Sequence, residues 1–397
     1  MAALIQAITS LLALSTIAVG APAEKRGHHF TIQQGNRVRA PLSPDAHYLR
    51  AIQKFEKALP GYARAAVEFQ GITGTAPADP EEWDMEYLTP ILVGGQELHV
   101  AIDTGSSDMW VMSSDLPPES REGHNFYQIG AQAEQLKEHS WRVHYGDGTT
   151  ATGDVFVDTV CVGGVTARKQ AFAAANKVSA EFIDDINNDG IMGIAFSSAS
   201  LIEPKGQTSW FDNVKKSLAK PIFAATLKYQ APGSFDFGYI DETKYKGEIM
   251  YTPVNSTDGW WVVTSDAYNV GNKRYTAKID GIVDTGTTLL FVPPEVAKAY
   301  YDEVQGASPS WQPSRYVFPC NATMPDFSFE FNGHAVVVPG DYLKHMPVAR
   351  GSDECFGGIQ AGRDPQYAIF GDIMLKNSYV VFDDGPDGPR LGWAQQA

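Results

Sequence analysis

From about residue 80 onward, apolar and polar positions alternate in short runs separated by Gly, Asn and Pro, as in Leu88 to Val93, Leu98 to Ile102, Val336 to Val338 and Tyr379 to Phe382. A period of two puts successive side chains on opposite faces of a sheet, so these runs predict short strands and a mostly β body. The run Val155 to Val162 alternates in the same way and predicts a strand carrying Cys161. Helical signals are brief: Phe211 to Leu218 after Ser209, and Pro294 to Val304 with Pro near its start, where its missing N–H is harmless. Ser140 to Gly153 reads as a strand, a Gly-rich tip and a returning strand, a hairpin suited to folding over a groove.

The first twenty residues have another pattern. An apolar stretch from Leu4 to Val19 ends in the small residues Ala18-Val19-Gly20 and reads as a signal peptide, residues 1–20, although no Lys or Arg precedes it. Its polar breaks and short length do not suit a membrane span. No later segment is apolar enough to cross a bilayer, and the ending Trp393 to Ala397 lacks the tail of a lipid anchor. The expectation is secretion out of the cell, with a vacuole as the alternative, and no membrane partner.

A chain of 397 residues exceeds one ordinary core and favours two or more units. Hydrophobic residues at 43% and charged residues at 20% are those of a folded globular protein. The net charge of −16 disfavours a nucleic-acid partner, since phosphate binding needs clustered bases. Few bases also limit the positive charge that builds up in acid, which suits low-pH tolerance as well as plain solubility. The charge is unevenly placed: residues 21–73 hold eight bases and four acids, leaving residues 74–397 at net −20. A basic leader can cover an acidic groove and leave once acid protonates the carboxylates, so 21–73 is read as an inhibitory propeptide. A merely flexible basic leader is the alternative. Gly71 to Pro80, rich in Gly, Thr and Pro, reads as the linker.

One internal repeat organises the body. Ile102-Asp103-Thr104-Gly105-Ser106-Ser107 returns as Val283-Asp284-Thr285-Gly286-Thr287-Thr288, and each copy is followed by an apolar-apolar-Gly run, Ile191-Met192-Gly193 and Ile369-Phe370-Gly371. An Asp-Thr-Gly triplet arises by chance about 0.1 times in a chain of this size, so a matched pair is no accident. The repeat implies two lobes of one plan, residues 74–245 and 246–397, each presenting one carboxylate. Glycine after Asp-Thr lets the backbones approach closely and donate N–H bonds to the carboxylates. Thr104 and Thr285 can bond across to the opposite loop, while Ser106 and Thr287 can hold the outer carboxylate oxygens. Two carboxyls at such range share a proton and titrate as a pair; the ionised member can take a proton from a water while the other polarises a peptide carbonyl. Tyr145 of the hairpin can hydrogen-bond Trp110, seven residues after Asp103, or both can be ordinary core.

Together these residues resemble the pepsin-like aspartic proteases, and more closely their fungal secreted branch. The resemblance covers nearly the whole chain: leader, both Asp-Thr-Gly loops, the hairpin, the lobe signatures, and the ending Val380-Val381-Phe382-Asp383 through Leu391-Gly392-Trp393. It implies an all-β bilobal fold, two pseudo-symmetric lobes with a central cleft and a few short helices. It implies Asp103 and Asp284 as catalytic, with Gly105, Tyr145, Gly146, Asp147, Thr149, Gly286 and Thr287 against substrate. Of the three cysteines it implies Cys320–Cys355 as a disulfide, leaving Cys161 as a buried inert thiol rather than a reactive one. Lys54-Phe55 matches the Lys-aromatic pair of the family's propeptides, whose Lys sits on the dyad. In the fungal branch an acid at the position of Asp147 admits Lys to the S1 pocket beside the usual large apolar residues; Thr149 departs from the Ser common there. A monomer acting on polypeptides, inhibited in cis by its own propeptide and needing neither cofactor nor metal, is the expectation.

Competing readings carry less. Asp185-Ile186-Asn187-Asn188-Asp189-Gly190 matches the first half of a calcium loop, but Phe196 stands where the twelfth-position Glu belongs, and a turn is the simpler reading. His28-His29 has no partner at ligand spacing. A non-catalytic peptide-binding relative has no need of both aspartates and Tyr145, and no serine or cysteine stands in a nucleophile motif. The sequons at Asn255 and Asn321 are candidate glycan sites.

Overall fold

The computed structural model describes residues 71–397 apart from 131–132, 310–314 and 363–365. The signal peptide, Lys54 and all of the propeptide before Gly71 lie outside the described residues. Strands dominate, and the longest helix among the described residues, Pro294–Tyr301, spans eight. No helix among them is long and apolar enough to cross a membrane.

The alternating runs form the expected strands with slightly wider bounds: Tyr87–Val93, Gln96–Asp103, His334–Val338 and Ser378–Asp383. Both helical pieces are shorter than their periodicity predicts. The first is Trp210–Val214, because Ser217 and Ala219 turn their backbones to Ile72 (Ile72 N donates to Ser217 O at 3.0 Å, Ala219 N to Ile72 O at 2.8 Å). Ile72, at the end of the charge-defined leader, is therefore already hydrogen-bonded into the body. The second helix stops at Tyr301, whose hydroxyl donates to Ile359 O at 2.7 Å and fixes the chain there.

Among the described residues a thirteen-stranded sheet runs from Tyr245–Pro253 at one edge to Glu134–His144 at the other, and three smaller sheets complete the C-terminal part. The repeat in sequence is a repeat in topology. Gln96–Asp103 lies parallel to Gly190–Gly193, which pairs antiparallel with Met109–Met112. Ile279–Val283 lies parallel to Ala368–Phe370, which pairs antiparallel with Leu290–Val292. Parallel pairing places Asp103 beside Gly193 and Val283 beside Phe370, so both Asp-Thr-Gly turns leave the same end of equivalent strands. The final strands Ser378–Asp383 and Arg390–Gln396 pair with Ile222–Lys228 and Tyr245–Pro253, stitching the chain's end into the large sheet. Beneath this seam Phe223 stacks on Phe382 at 4.4 Å, and Trp261 meets both edge-on at 5.8 and 5.2 Å. Aromatics contributed from both halves thus form one buried core, which keeps the two turns in fixed register.

Candidate active site

Asp103 ends its strand and Asp284 directly follows its own; both are almost buried, at 6% and 9% exposure. Their surroundings are matched pair by pair. Asp103 Oδ1 accepts from Gly105 N at 2.7 Å and Oδ2 from Ser106 Oγ at 2.5 Å. Asp284 Oδ1 accepts from Gly286 N at 2.8 Å and Oδ2 from Thr287 Oγ1 at 2.7 Å. The two threonines cross between the loops: Thr104 Oγ1 donates to Val283 O at 2.7 Å and Thr285 Oγ1 to Ile102 O at 2.5 Å. Each hydroxyl also accepts the opposite threonine's N–H, at 3.0 and 3.2 Å, so four hydrogen bonds lock the turns together.

The glycines explain how close the turns come. A Cβ built on Gly105 would lie 2.5 Å from the Asp284 carboxyl carbon, and one on Gly286 would lie 2.5 Å from that of Asp103. Any side chain at either position would occupy the space of the opposite carboxyl. The carboxyls themselves are within hydrogen-bonding reach of each other. Burial, then the negative charge of Asp284 and the hydrogen bond to it, push Asp103 well above the usual carboxylate range, against the opposing bonds from Ser106 and Gly105. Two carboxyls at this range repel when both are ionised, so they titrate as a coupled pair.

The hairpin forms as its strands predict. Glu134–His144 pairs with Thr150–Val162, Tyr145 N donates to Thr149 O at 2.9 Å, and Gly148 takes a φ of +101° in the tip. Trp110 Nε1 donates to Tyr145 Oη at 2.8 Å. Burial, and then the charge of Asp103, push Tyr145 well above the ordinary phenol value. Asp147 Oδ1 accepts from both Thr149 N and Thr149 Oγ1 at 2.8 Å; the Thr149 hydroxyl is thus turned to its own loop. A Cβ on Gly146 would meet nothing within 4 Å among the described residues.

Other expectations fall elsewhere. Cys320 and Cys355 are disulfide-bonded, while Cys161 is a buried thiol outside that bond, in the Thr150–Val162 strand. Asn255 Oδ1 accepts from Thr257 N at 3.1 Å and Thr257 Oγ1 at 2.7 Å, closing the sequon on itself, whereas Asn321 is exposed. The segment Asp185–Gly190 is a turn: Gly190 N donates to Asn188 Oδ1 at 2.9 Å, and Asp189 accepts Asn125 N and His99 N at 2.8 Å.

Three groups near the dyad escaped sequence reasoning. Asp108 is buried and accepts from Trp141 Nε1 at 3.1 Å, Ser200 Oγ at 2.6 Å and Leu201 N at 2.6 Å, anchoring the hairpin strand behind Trp110. Asp372 is buried with Oδ1 unpaired among the described residues, and its N–H donates to Thr287 O at 2.8 Å. Phe182 packs against Trp110 and Tyr145. An acid within the apolar start of a strand signalled the first, and Gly371-Asp372 in the repeat signalled the second. Nothing local signalled the third.

The family profile described as eukaryotic aspartyl protease matches residues 86–396. The chain is 46% identical to aspergillopepsin-1 of Aspergillus fumigatus over 391 residues, 98% of either chain. It is 47% identical to penicillopepsin-3 of Penicillium janthinellum over 355 residues, 89% of either chain. Penicillopepsin-1 of Penicillium rubens is likewise 47% identical over 350 residues, 88% of this chain and 87% of its own.

Proposed function

Since the chain belongs to the eukaryotic aspartyl protease family and is an aspartic endopeptidase of the pepsin kind, we propose that Asp103 and Asp284 are its catalytic pair and that it is secreted as a zymogen acting on polypeptides in acid. The observation that carries the reading is the shared, buried carboxyl pair held by mirrored N–H and hydroxyl donors. A water bound between the carboxyls gives a proton to the ionised member as its oxygen attacks the peptide carbonyl. The protonated member hydrogen-bonds that carbonyl oxygen, so the tetrahedral intermediate forms without an acyl-enzyme. Collapse returns a proton to the leaving amine. Because the pair needs one proton, activity falls at high pH as that proton leaves and at very low pH as a second is taken up.

Tyr145, Gly146, Asp147 and Thr149 close over the substrate from the hairpin, while Gly105, Gly286 and Thr287 line its path past the dyad, supported by Thr104, Ser106, Trp110 and Thr285. Large apolar residues suit P1 beneath Tyr145. Asp147 has one oxygen tied to Thr149 and a second outside that turn, which suits a Lys ammonium at the same place. The basic segment 21–73, which includes Lys54, is the cis inhibitor, released as acid protonates the carboxylates of the acidic body.

Acid-dependent cleavage of a denatured protein, blocked by a pepstatin-type inhibitor and abolished in Asp103→Asn, tests the activity; an Asp103→Asn enzyme that still cleaves would overturn it. Asp147→Ala assayed on matched Lys and Phe peptides tests the pocket. Selective loss of Lys cleavage is expected, and equal losses on both would refute the assignment.

A further inference from the structure

His124 is buried, at 7% exposure, and each of its ring nitrogens faces a main-chain carbonyl. Nδ1 lies 3.1 Å from Asn188 O and Nε2 3.2 Å from Ile183 O. A carbonyl oxygen only accepts. A neutral imidazole has one N–H and one lone pair, so it can satisfy one of these oxygens and must point its lone pair at the other. Only the imidazolium donates to both. The fully buried Asp189 completes the arrangement, with Oδ1 3.8 Å from Nδ1. Its carboxylate raises His124 above the ordinary histidine value, outweighing the burial that lowers it.

The neighbouring charged groups are distributed around the loop. His99 lies 3.8 Å from the other Asp189 oxygen. Glu86 accepts from Asn188 Nδ2 at 2.9 Å and is hydrogen-bonded to Asp185. The Arg121 carbonyl accepts His124 N at 3.2 Å while its guanidinium lies 4.4 Å over Phe126. The imidazole's ionic partner is Asp189.

The Ile183 carbonyl belongs to the five-residue helix Ala180–Asp184, whose first residue is preceded by Ser179 without a side-chain cap. So short a helix holds its place through external contacts rather than its own hydrogen bonds. Phe182, beside the tethered carbonyl, packs edge-on against Trp110 at 4.9 Å and Tyr145 at 5.9 Å. Those two rings share the hydrogen bond that ties the hairpin to the Met109–Met112 strand.

We propose that His124 is a positioning residue: its imidazolium ties the Ile183 and Asn188 carbonyls together, holding the Phe182 buttress under Tyr145 and Trp110 in acid and releasing it when the proton leaves. This rests on the reading of the Tyr145 hairpin as the element that closes on substrate. A group raised on folding contributes its full stabilisation below its unfolded value and loses it as pH rises through the folded one, so release belongs to the neutral side.

The test uses the secreted chain carrying Asp103→Asn, which prevents self-digestion, with and without His124→Gln. Carbon-13 labelling of the histidine rings reports the charge on His124, and tryptophan fluorescence reports packing around Trp110, both from pH 4 to 9. The expected result is a doubly protonated His124 at pH 5 and a fluorescence step that follows its titration and vanishes in His124→Gln. A neutral His124 at pH 5, or a step that persists in His124→Gln, overturns the proposal. In the active enzyme His124→Gln raises KM at pH 4, and the difference from the parent closes as pH passes through the His124 titration; a difference constant with pH marks a merely structural role and refutes it. Should His124→Gln not fold, Phe182→Leu must diminish the fluorescence step while leaving the His124 titration in place, and an undiminished step refutes the coupling. Absence of acid peptide cleavage in the parent is a separate failure, that of the protease reading, and leaves the spectroscopic arms interpretable.

Discussion

The approach of each glycine to the opposite carboxyl makes Gly286→Ala a sharp perturbation. The added methyl would lie 2.5 Å from Asp103 Cγ and Oδ1 and 2.9 Å from its Cβ. Relief to an ordinary contact near 3.4 Å displaces the Asp103 carboxyl, or the whole loop, by about 0.9 Å. A misplacement of about 1 Å in reacting groups lowers rates by roughly a hundredfold, or about 2.7 kcal/mol of transition-state stabilisation. Gly286 has no positive φ, so backbone strain adds nothing, and overpacking costs stability by about 1–3 kcal/mol. The expected outcome is a kcat/KM about a hundredfold lower on a fluorogenic peptide at acid pH, carried mainly by kcat, with the fold retained by circular dichroism. Gly95→Ala is the control: its φ of +82° strains an alanine, but nothing lies within 4 Å of the added methyl, so stability falls and kcat does not. If Gly286→Ala kept activity within a few-fold of the parent, the turns would not be in contact as described, and the shared-proton chemistry would lose its geometric basis.

Further predictions concern stability. Lys376 Nζ donates to Asp84 Oδ2 at 2.9 Å with both residues 2% exposed; Lys376→Met strands a buried carboxylate and should lower the unfolding free energy by about 3–5 kcal/mol, whereas Lys376→Met with Asp84→Leu should recover most of it. A urea titration in which the double variant is no better than the single would refute the pairing. Asp103, Asp372 and Glu86 are all held above the usual carboxylate range, by burial first in each case; their stabilisation is complete below the unfolded carboxylate value and is lost as pH rises through the folded ones. The urea midpoint should therefore fall from mildly acid to neutral pH, and Asp372→Asn should flatten that fall; an unchanged slope would exclude Asp372 as a contributor. Glu330 has the opposite sign, held down to about 2 by Arg274, and loses its contribution only in stronger acid. The Cys320–Cys355 disulfide spans 35 residues of sequence, so the paired Cys320→Ser and Cys355→Ser change should destabilise by about 4 kcal/mol on the chain-entropy relation, seen as a lower thermal midpoint.

Much of this protein was legible in its residues because the information was periodic. Alternation at a period of two predicts Gln96–Asp103 and Ser378–Asp383 to within a residue or two, since burying one face of a strand imposes that period locally. Duplicated Asp-Thr-Gly turns imply two equivalent lobes without coordinates, because a special turn needs the same residues wherever it occurs. Helix ends were less legible: Trp210–Val214 stops early because Ser217 and Ala219 pair with Ile72, about 145 positions away in the chain.

Sequence alone determined the all-β architecture, the two carboxyls and their local donors, since these depend on neighbours a few residues apart. Tertiary structure decided the rest: that Thr104 and Thr285 interlock, that each glycine faces the other lobe's carboxyl, and that Asp372 lies buried beside them. It also set His124 between two carbonyls roughly sixty residues along the chain. Such placements depend on packing between distant segments, and a side chain's protonation there follows from partners that no local pattern encodes.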